Sequence, residues 1–260
     1  MIFWGLTRSP LDKEFITSPL IYFCAIFITL FIAFFYAKKI FTDKQDESIF
    51  LASSLVGNTG NLGIPLGMAL FGVASVPYTS ILNIANVFFI YIFSVYFLAG
   101  DKFKFKDALK EIFKIPAIWF TIAAISYNSL GFKLSVDFDK VFTMGAYTAI
   151  VLQLIIFGIF MSQVKIKTAN WKLSLNVALF KHFILPIVGL YVILFFDVDP
   201  FIGGIIFLEL VVPLAVNNVN IASLYNCKPI DATFSVLIST LIFIGFVYFY
   251  IMILNKFFGL

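Results

Sequence analysis

Two stretches of this chain place groups capable of chemistry inside otherwise apolar sequence: GNTGNLGIPLG at 57–67 and FIGGIIFLELVVPLAVNNVNIASLYN at 201–226. The first holds Asn58, Thr59, Asn61 and Pro65; the second holds Glu209, Pro213, Asn217, Asn218 and Asn220. Proline has no N–H and displaces the carbonyl four residues before it, so the carbonyls of Asn61 and Glu209 are expected to lose their helical partners. Amide side chains offer both donors and acceptors. The chemistry these residue types suit is the binding of a small polar or ionic solute, because no HExxH pattern, paired membrane aspartates or Ser/His arrangement is available for bond breaking. Cys24, Cys227 and the sole histidine, His182, fit no disulfide or metal spacing. The chain therefore reads as a non-enzyme without a cofactor.

Individual roles can be weighed. Asn58 suits a donor to a bound solute or a cap for a broken helix. Thr59, Asn61, Asn217, Asn218 and Asn220 could add donors and acceptors, although 3.6 residues per turn prevents all of them from facing one site. Glu209, in the middle of an apolar run, costs on the order of 3 kcal/mol as a charge in a bilayer. It reads either as a proton-coupling group or as half of a buried pair with Lys181. Lys181 itself could attract an anion or reach the membrane surface as an anchor. His182 reads as a packed, hydrogen-bonded residue. Asn83 and Asn86 share a helix face and are expected to bond neighbouring helices, and Gln153 reads the same way.

These groups must be held by membrane helices. The chain has 260 residues, of which 62% are hydrophobic and 12% charged, and its mean hydropathy is +1.03. Continuous apolar runs matching a hydrocarbon thickness of about 30 Å favour helices over a barrel. Eight spans are placed at 19–38, 50–72, 78–99, 115–132, 141–163, 173–196, 201–225 and 232–254. Alternate connections carry Lys38, Lys39, Lys44, Lys102, Lys104, Lys106, Lys110, Lys114, Lys165, Lys167, Lys172 and Lys228, against Arg8, Lys13, Lys133, Lys140 and Lys256 on the other side. The positive-inside rule then puts the larger set in the cytoplasm and both termini outside, in a multi-pass protein of a bacterial inner membrane. The net charge of +4 reports orientation and not nucleic acid. The linker 101–114 reads either as a short helix lying on the membrane through Phe105, Leu109, Ile112 and Phe113, or as a solvated connection.

The two interrupted stretches are the second and seventh spans, an odd offset of five, so they run in opposite directions across the membrane. Discontinuous helices in an inverted repeat are the usual frame of a midplane site in secondary transporters. The second unit, 115–260, has five spans; the first, 18–100, has three, and residues 1–17 read as the remnant of a missing helix plus a loop. In keeping with that, residues 2–14 are similar to residues 156–168.

The motifs GNTGNLGIPLGMALFG, IPAIWFTIAAI, IIFGIFMS and VVPLAVNNVNIASLYN resemble those of the auxin efflux carrier family, whose fold is related to the bile acid:sodium symporters. The resemblance implies an all-α carrier of two five-helix inverted repeats, with two proline-broken helices crossing at Pro65 and Pro213. It also implies a substrate bound at that crossing, with Asn58 matching an amide used for the substrate carboxylate. Of its ten helices, three to five and eight to ten would move against a scaffold of the other four, which also makes a homodimer contact. This sequence departs from the pattern in the absence of the first helix and most of the second, and in Glu209 and Val212. The activity so implied is secondary transport of a small organic anion, a mono- or dicarboxylate, coupled to H+ or driven without coupling. The competing expectations are sodium symport and, from another class, a non-transporting scaffold or a truncated gene product.

Overall fold

The computed structural model describes residues 2–7, 12–162 and 170–260. Every regular element within them is helical, as a backbone in lipid requires if it is to satisfy its own hydrogen bonds. Helix α1 (Ile2–Leu6) precedes α2 (Lys13–Ile40), whose first turn is capped by Asp12 accepting the Phe15 amide. Helix α3 (Lys44–Ser53) starts at Asp43, whose carboxylate accepts the amides of Gln45 and Asp46. An irregular stretch, 54–58, separates it from a π turn, Thr59–Gly63, that leads into α4 (Ile64–Phe71).

Helix α5 (Val76–Phe89) continues through a π turn at Ile90–Ser94 into α6 (Val95–Ala99). Then follow α7 (Phe105–Lys114), α8 (Pro116–Ser129) and α9 (Val136–Ser162). Helix α10 (Trp171–Leu179) runs through a further π turn, Phe180–Ile184, into α11 (Leu185–Phe195). The chain closes with α12 (Pro200–Val211), α13 (Asn217–Leu224) and α14 (Pro229–Phe258).

Among the described residues, five segments are long and apolar enough to cross a membrane: Lys13–Ile40, Val73–Lys102, Val136–Ile156, Trp171–Phe195 and Pro229–Phe258. The chain is an all-α polytopic membrane protein. Of the other three expected spans, 50–72 and 201–225 are each interrupted, and 115–132 contains the 14-residue α8. The linker resolves as a helix: Ile112 of α7 is buried with Ile84 and Ile118, whereas Phe105 and Phe113 are exposed. Arg8, Lys165 and Lys167 lie outside the described residues, as do parts of the two similar stretches 2–14 and 156–168.

The principal core joins α2, α3, α5 and α10 to α14, with Tyr22, Phe50, Phe89 and Phe207 among its buried rings. Smaller clusters attach α1, α8 and α9. Trp4 packs with Ile64, Val76 and Ala146, and Leu6 with Phe15 and Ala124. Helix α9 is peripheral: 6% of its apolar window is buried, against 56% in the Val73–Lys102 rod.

Candidate functional site at the crossing of two interrupted helices

The two interrupted stretches meet. The Asn58 N–H donates to the Pro213 carbonyl at 2.7 Å and the Ala215 N–H donates to the Val56 carbonyl at 3.3 Å, forming an isolated antiparallel bridge between Gly57 and Leu214. Each segment thus gives the other some of the backbone bonds that its own broken helix no longer supplies.

Side chains supply others. Pro213 cannot continue the α12 ladder, and α12 ends at Val211. The Leu214 N–H, which in an unbroken helix would donate to the Leu210 carbonyl, donates instead to Ser239 Oγ at 3.1 Å. The Leu210 carbonyl accepts from Lys181 Nζ at 2.8 Å. On the other segment, Asn86 Nδ2 donates to the Gly57 carbonyl at 2.8 Å and to Thr59 Oγ1 at 3.0 Å. Thr59 in turn donates to Asn83 Oδ1 at 2.9 Å, and Tyr22 donates to Asn86 Oδ1 at 3.2 Å. Asn218 Nδ2 holds the Ala52 carbonyl at 2.7 Å, which Ser94 also donates to.

Two glycines make the approach possible. A Cβ on Gly57 would lie 2.8 Å from Val212 Cγ2, 3.0 Å from the Glu209 carbonyl and 3.1 Å from Lys181 Nζ. A Cβ on Gly63 would lie 2.1 Å from Glu209 Oε2. The π turn at Thr59–Gly63 therefore presents bare backbone to the Glu209 carboxyl. Glu209 and Lys181 are both fully buried yet form no ion pair within 4 Å. Both carboxyl oxygens of Glu209, Asn58 Nδ2 and Asn218 Oδ1 are buried without a partner among the described residues. These are the groups a solute or a proton could satisfy.

The expected site residues divide. Asn58, Thr59, Lys181, Glu209, Pro213 and Asn218 converge at the crossing. Asn61 and Pro65 are half-buried beyond it. Contrary to the expectation that the helices cross at Pro65, the first segment crosses at Gly57–Asn58, and Pro65 sits in the first turn of α4, where its missing N–H costs little. Asn217 and Asn220 are exposed on α13 and face a separate cavity of about 300 Å³ with Tyr91, Lys102, Lys104 and Glu111. A second cavity, of about 380 Å³, is lined by Gly60, Ile64, Asn83, Ala117, Phe142 and Gln153.

His182 behaves as a packed residue. Its Nε2 lies 2.7 Å from Ser239 Oγ and its Nδ1 3.2 Å from the Tyr250 hydroxyl, which donates to the His182 carbonyl at 3.1 Å. Pro186 is the residue that would otherwise have left that carbonyl unpaired. Gly57, Gly63, Asn83, Asn86, Tyr22 and Ser239 were not among the site residues expected from sequence. Their signal was faint: glycines beside an asparagine-rich stretch, and two asparagines three apart on one helix face.

The membrane transport protein family matches residues 1–107 and 102–251 of this chain. The chain belongs to that family, the auxin efflux carriers. A relative, an uncharacterized transporter of Methanocaldococcus jannaschii, is 30% identical over 126 residues, covering 47% of this chain. The match spans 40% of the length of that relative.

In this transport-family protein the two interrupted stretches are also tied at the ends remote from the crossing. Lys228, in the turn before α14, contacts Asp46, within α3, at 2.6 Å and Asp43, just ahead of it, at 3.0 Å. The bond from Lys228, followed by the amide of Gln45, holds the Asp43 carboxyl below its ordinary pKa. Partial burial opposes the charge on Lys228, but its bonds to Asp46 and Asp43 outweigh that and raise its pKa. Burial also raises the pKa of the neighbouring Cys227 thiol.

Proposed function

We propose that this protein is a secondary transporter of a small organic anion, a mono- or dicarboxylate, bound beside the crossing of the two interrupted helices, which belong to opposed units of an inverted repeat. The observation that carries the reading is the Asn58 amide: buried at the bridge, with its backbone spent on Pro213 and its Nδ2 donor unpaired. A buried donor left without a partner costs about 1–3 kcal/mol, a cost that a carboxylate acceptor would remove. Lys181, fixed on the Leu210 carbonyl, supplies a basic group of the matching sign, and the cavities of about 300 Å³ beside α13 and 380 Å³ beside Gly60 offer separate approaches. Access from each side in turn is what alternating access requires.

In this reading Asn58, Thr59 and Asn218 orient the anion, and Glu209 carries a proton whose loss or gain accompanies transport. Asn61 and Asn217 with Asn220 lie along the routes in and out, and Pro65 and Pro213 shape the two segments. The larger set of lysines faces the cytoplasm of a bacterial cell and both termini lie outside it. A homodimer in the bilayer is the expected assembly. Sodium symport is the second reading, and the two unpaired oxygens of Glu209 are the specific feature that favours it.

The test is counterflow in proteoliposomes loaded with unlabelled mono- and dicarboxylates, read as uptake of the labelled acid. Flux above empty liposomes is expected, with a loss of at least about tenfold in Asn58→Ala, the factor that corresponds to about 1.4 kcal/mol. Glu209→Gln should keep exchange and lose its response to a pH gradient. Uptake equal to that of empty liposomes for every acid, from protein with an unchanged melting temperature, would reject the assignment.

A further inference from the structure

We propose that the Lys181 ammonium is a built-in counter-cation of the crossing, seated where a carrier of this kind would otherwise bind a mobile coupling cation, so that the protein works without sodium. The inference deepens the carrier reading above and rests on it for its functional meaning, although its geometry stands alone.

The argument begins at the C-terminal end of α12. The last carbonyls of a helix carry a partial negative charge, about half an elementary charge in sum, and those released by a break have no backbone donor. Unwound carbonyls and the C-terminal ends of half-helices are where transporters of broken-helix design coordinate Na+. Two carbonyls of that last turn lost their helical donors at the break, that of Glu209 because Pro213 has no N–H and that of Leu210 because the Leu214 N–H turns to Ser239; the Leu210 carbonyl is held by Lys181 Nζ at 2.8 Å. The same nitrogen lies 3.1 Å from where a Gly57 Cβ would be, so it sits against the backbone of the opposing segment as well. Its side chain is fully buried, arrives from the π turn Phe180–Ile184 of a different rod, and does not reach the surface.

The Gly57 and Ala52 carbonyls are taken by neutral groups, Asn86 for the first and Ser94 with Asn218 for the second. A lysine holding a helix-terminal carbonyl could be a mere structural pin, but a pin needs no charge. A fully buried ammonium outside ion-pair distance of any carboxylate is costly, and a neutral amide donor such as glutamine would be the cheaper pin. A charge kept at that cost fits a positive centre that the site requires, and the tethered form removes the need to capture an ion from solution. Glu209, next in sequence to the held carbonyl, is then left to exchange a proton and not to ligate a metal ion.

The experiment reads melting temperature, so it is independent of substrate and of flux. Purified full-length protein in detergent is heated in choline, sodium, lithium or methylammonium chloride at equal ionic strength, as wild type, Lys181→Ala and Lys181→Met. Wild type should melt at the same temperature in sodium and in choline. Lys181→Ala should melt lower in choline and recover by at least about 2 °C in methylammonium or sodium, rising with the logarithm of the salt concentration as a bound ion requires. Lys181→Met keeps the stem without the charge; it should be destabilised and insensitive to every cation, because its side chain fills the space. Sodium-dependent stabilisation of wild type would overturn the proposal by revealing a mobile cation site. So would Lys181→Met as stable as wild type, or folded Lys181→Ala indifferent to all cations. If Lys181→Ala does not fold, the wild-type and Lys181→Met arms decide. Because no arm uses the transported acid, a failed flux assay with a successful rescue would reject the substrate assignment and leave the tethered cation standing.

Discussion

At the residue scale, the crossing depends on atoms that are missing. Gly57 lets the two segments approach, since any β-carbon there would press on Val212, the Glu209 carbonyl and Lys181 Nζ together. Two of these three are backbone or a buried charge already bonded elsewhere, so they cannot yield cheaply. Gly57→Ala should therefore cost about 1–3 kcal/mol through overpacking and lower the melting temperature, whereas Gly145→Ala on the open face of α9, with nothing nearby to meet, should not. Equal melting temperatures for the two variants would mean that the segments do not need this close approach. The residues that stand out in the sequence by chemical type, Asn58, Glu209 and Lys181, are all buried at one place. Single-residue readings were incomplete where the role belongs to a neighbour. Asn86 looked like an ordinary interhelical bond, yet it caps the carbonyl of Gly57, a partner 29 residues away that only the folded chain brings within reach.

At the element scale, α3 is a short helix that must end in an irregular segment, so it is held hard at its start. Asp43 accepts two amides of its first turn while Lys228 bridges Asp43 and Asp46. Because Lys228 keeps the Asp43 pKa below its unfolded value, the contribution of Asp43 is complete above that value, about 3.9, and fades as the pH falls through the lower folded one. The raised pKa of Lys228 means that its contribution is complete below about 10.4 and fades as the pH rises through the higher folded value. The clamp should hold across the neutral range and open in acid. Hydrogen exchange of residues 44–47, corrected for intrinsic rate, should quicken between pH 7 and pH 3, and Lys228→Met should quicken it already at pH 7; unchanged protection in that variant would remove the clamp. The elements themselves were legible to different degrees. Apolar length placed the five long spans, and the 3.6-residue spacing of Leu109, Ile112 and Phe113 pointed to α7. The first break was misplaced because proline is the loudest signal in a sequence. Pro65 is accommodated at a helix start, while the actual interruption at 54–58 is determined by contact with α12 and α13, which local sequence does not encode.

At the scale of the whole molecule, the packing falls into two groups. A large core unites both interrupted stretches with α2, α5, α10, α11 and α14, and α1, α8 and α9 attach through small clusters at Trp4, Leu6 and Ile112. The approximately 380 Å³ cavity lies on that seam, with Gly60, Ile64 and Asn83 on one wall and Ala117, Phe142 and Gln153 on the other. Small clusters with a cavity between them are the kind of interface along which packed bodies shift as units, because little apolar contact must be broken to move them. If the transport cycle moves the crossing against α9, joining the two sides should stop it. Ile64 and Ala146 are buried in the same cluster, one on each group, and suit cysteine pairing by a short reducible bifunctional reagent once Cys24 and Cys227 are replaced by serine. The linked protein should lose counterflow and regain it on reduction, while either single cysteine variant treated alike keeps its flux. Counterflow that persists in fully linked protein would place the motion elsewhere, within the large core, and would make the interrupted segments themselves the gates.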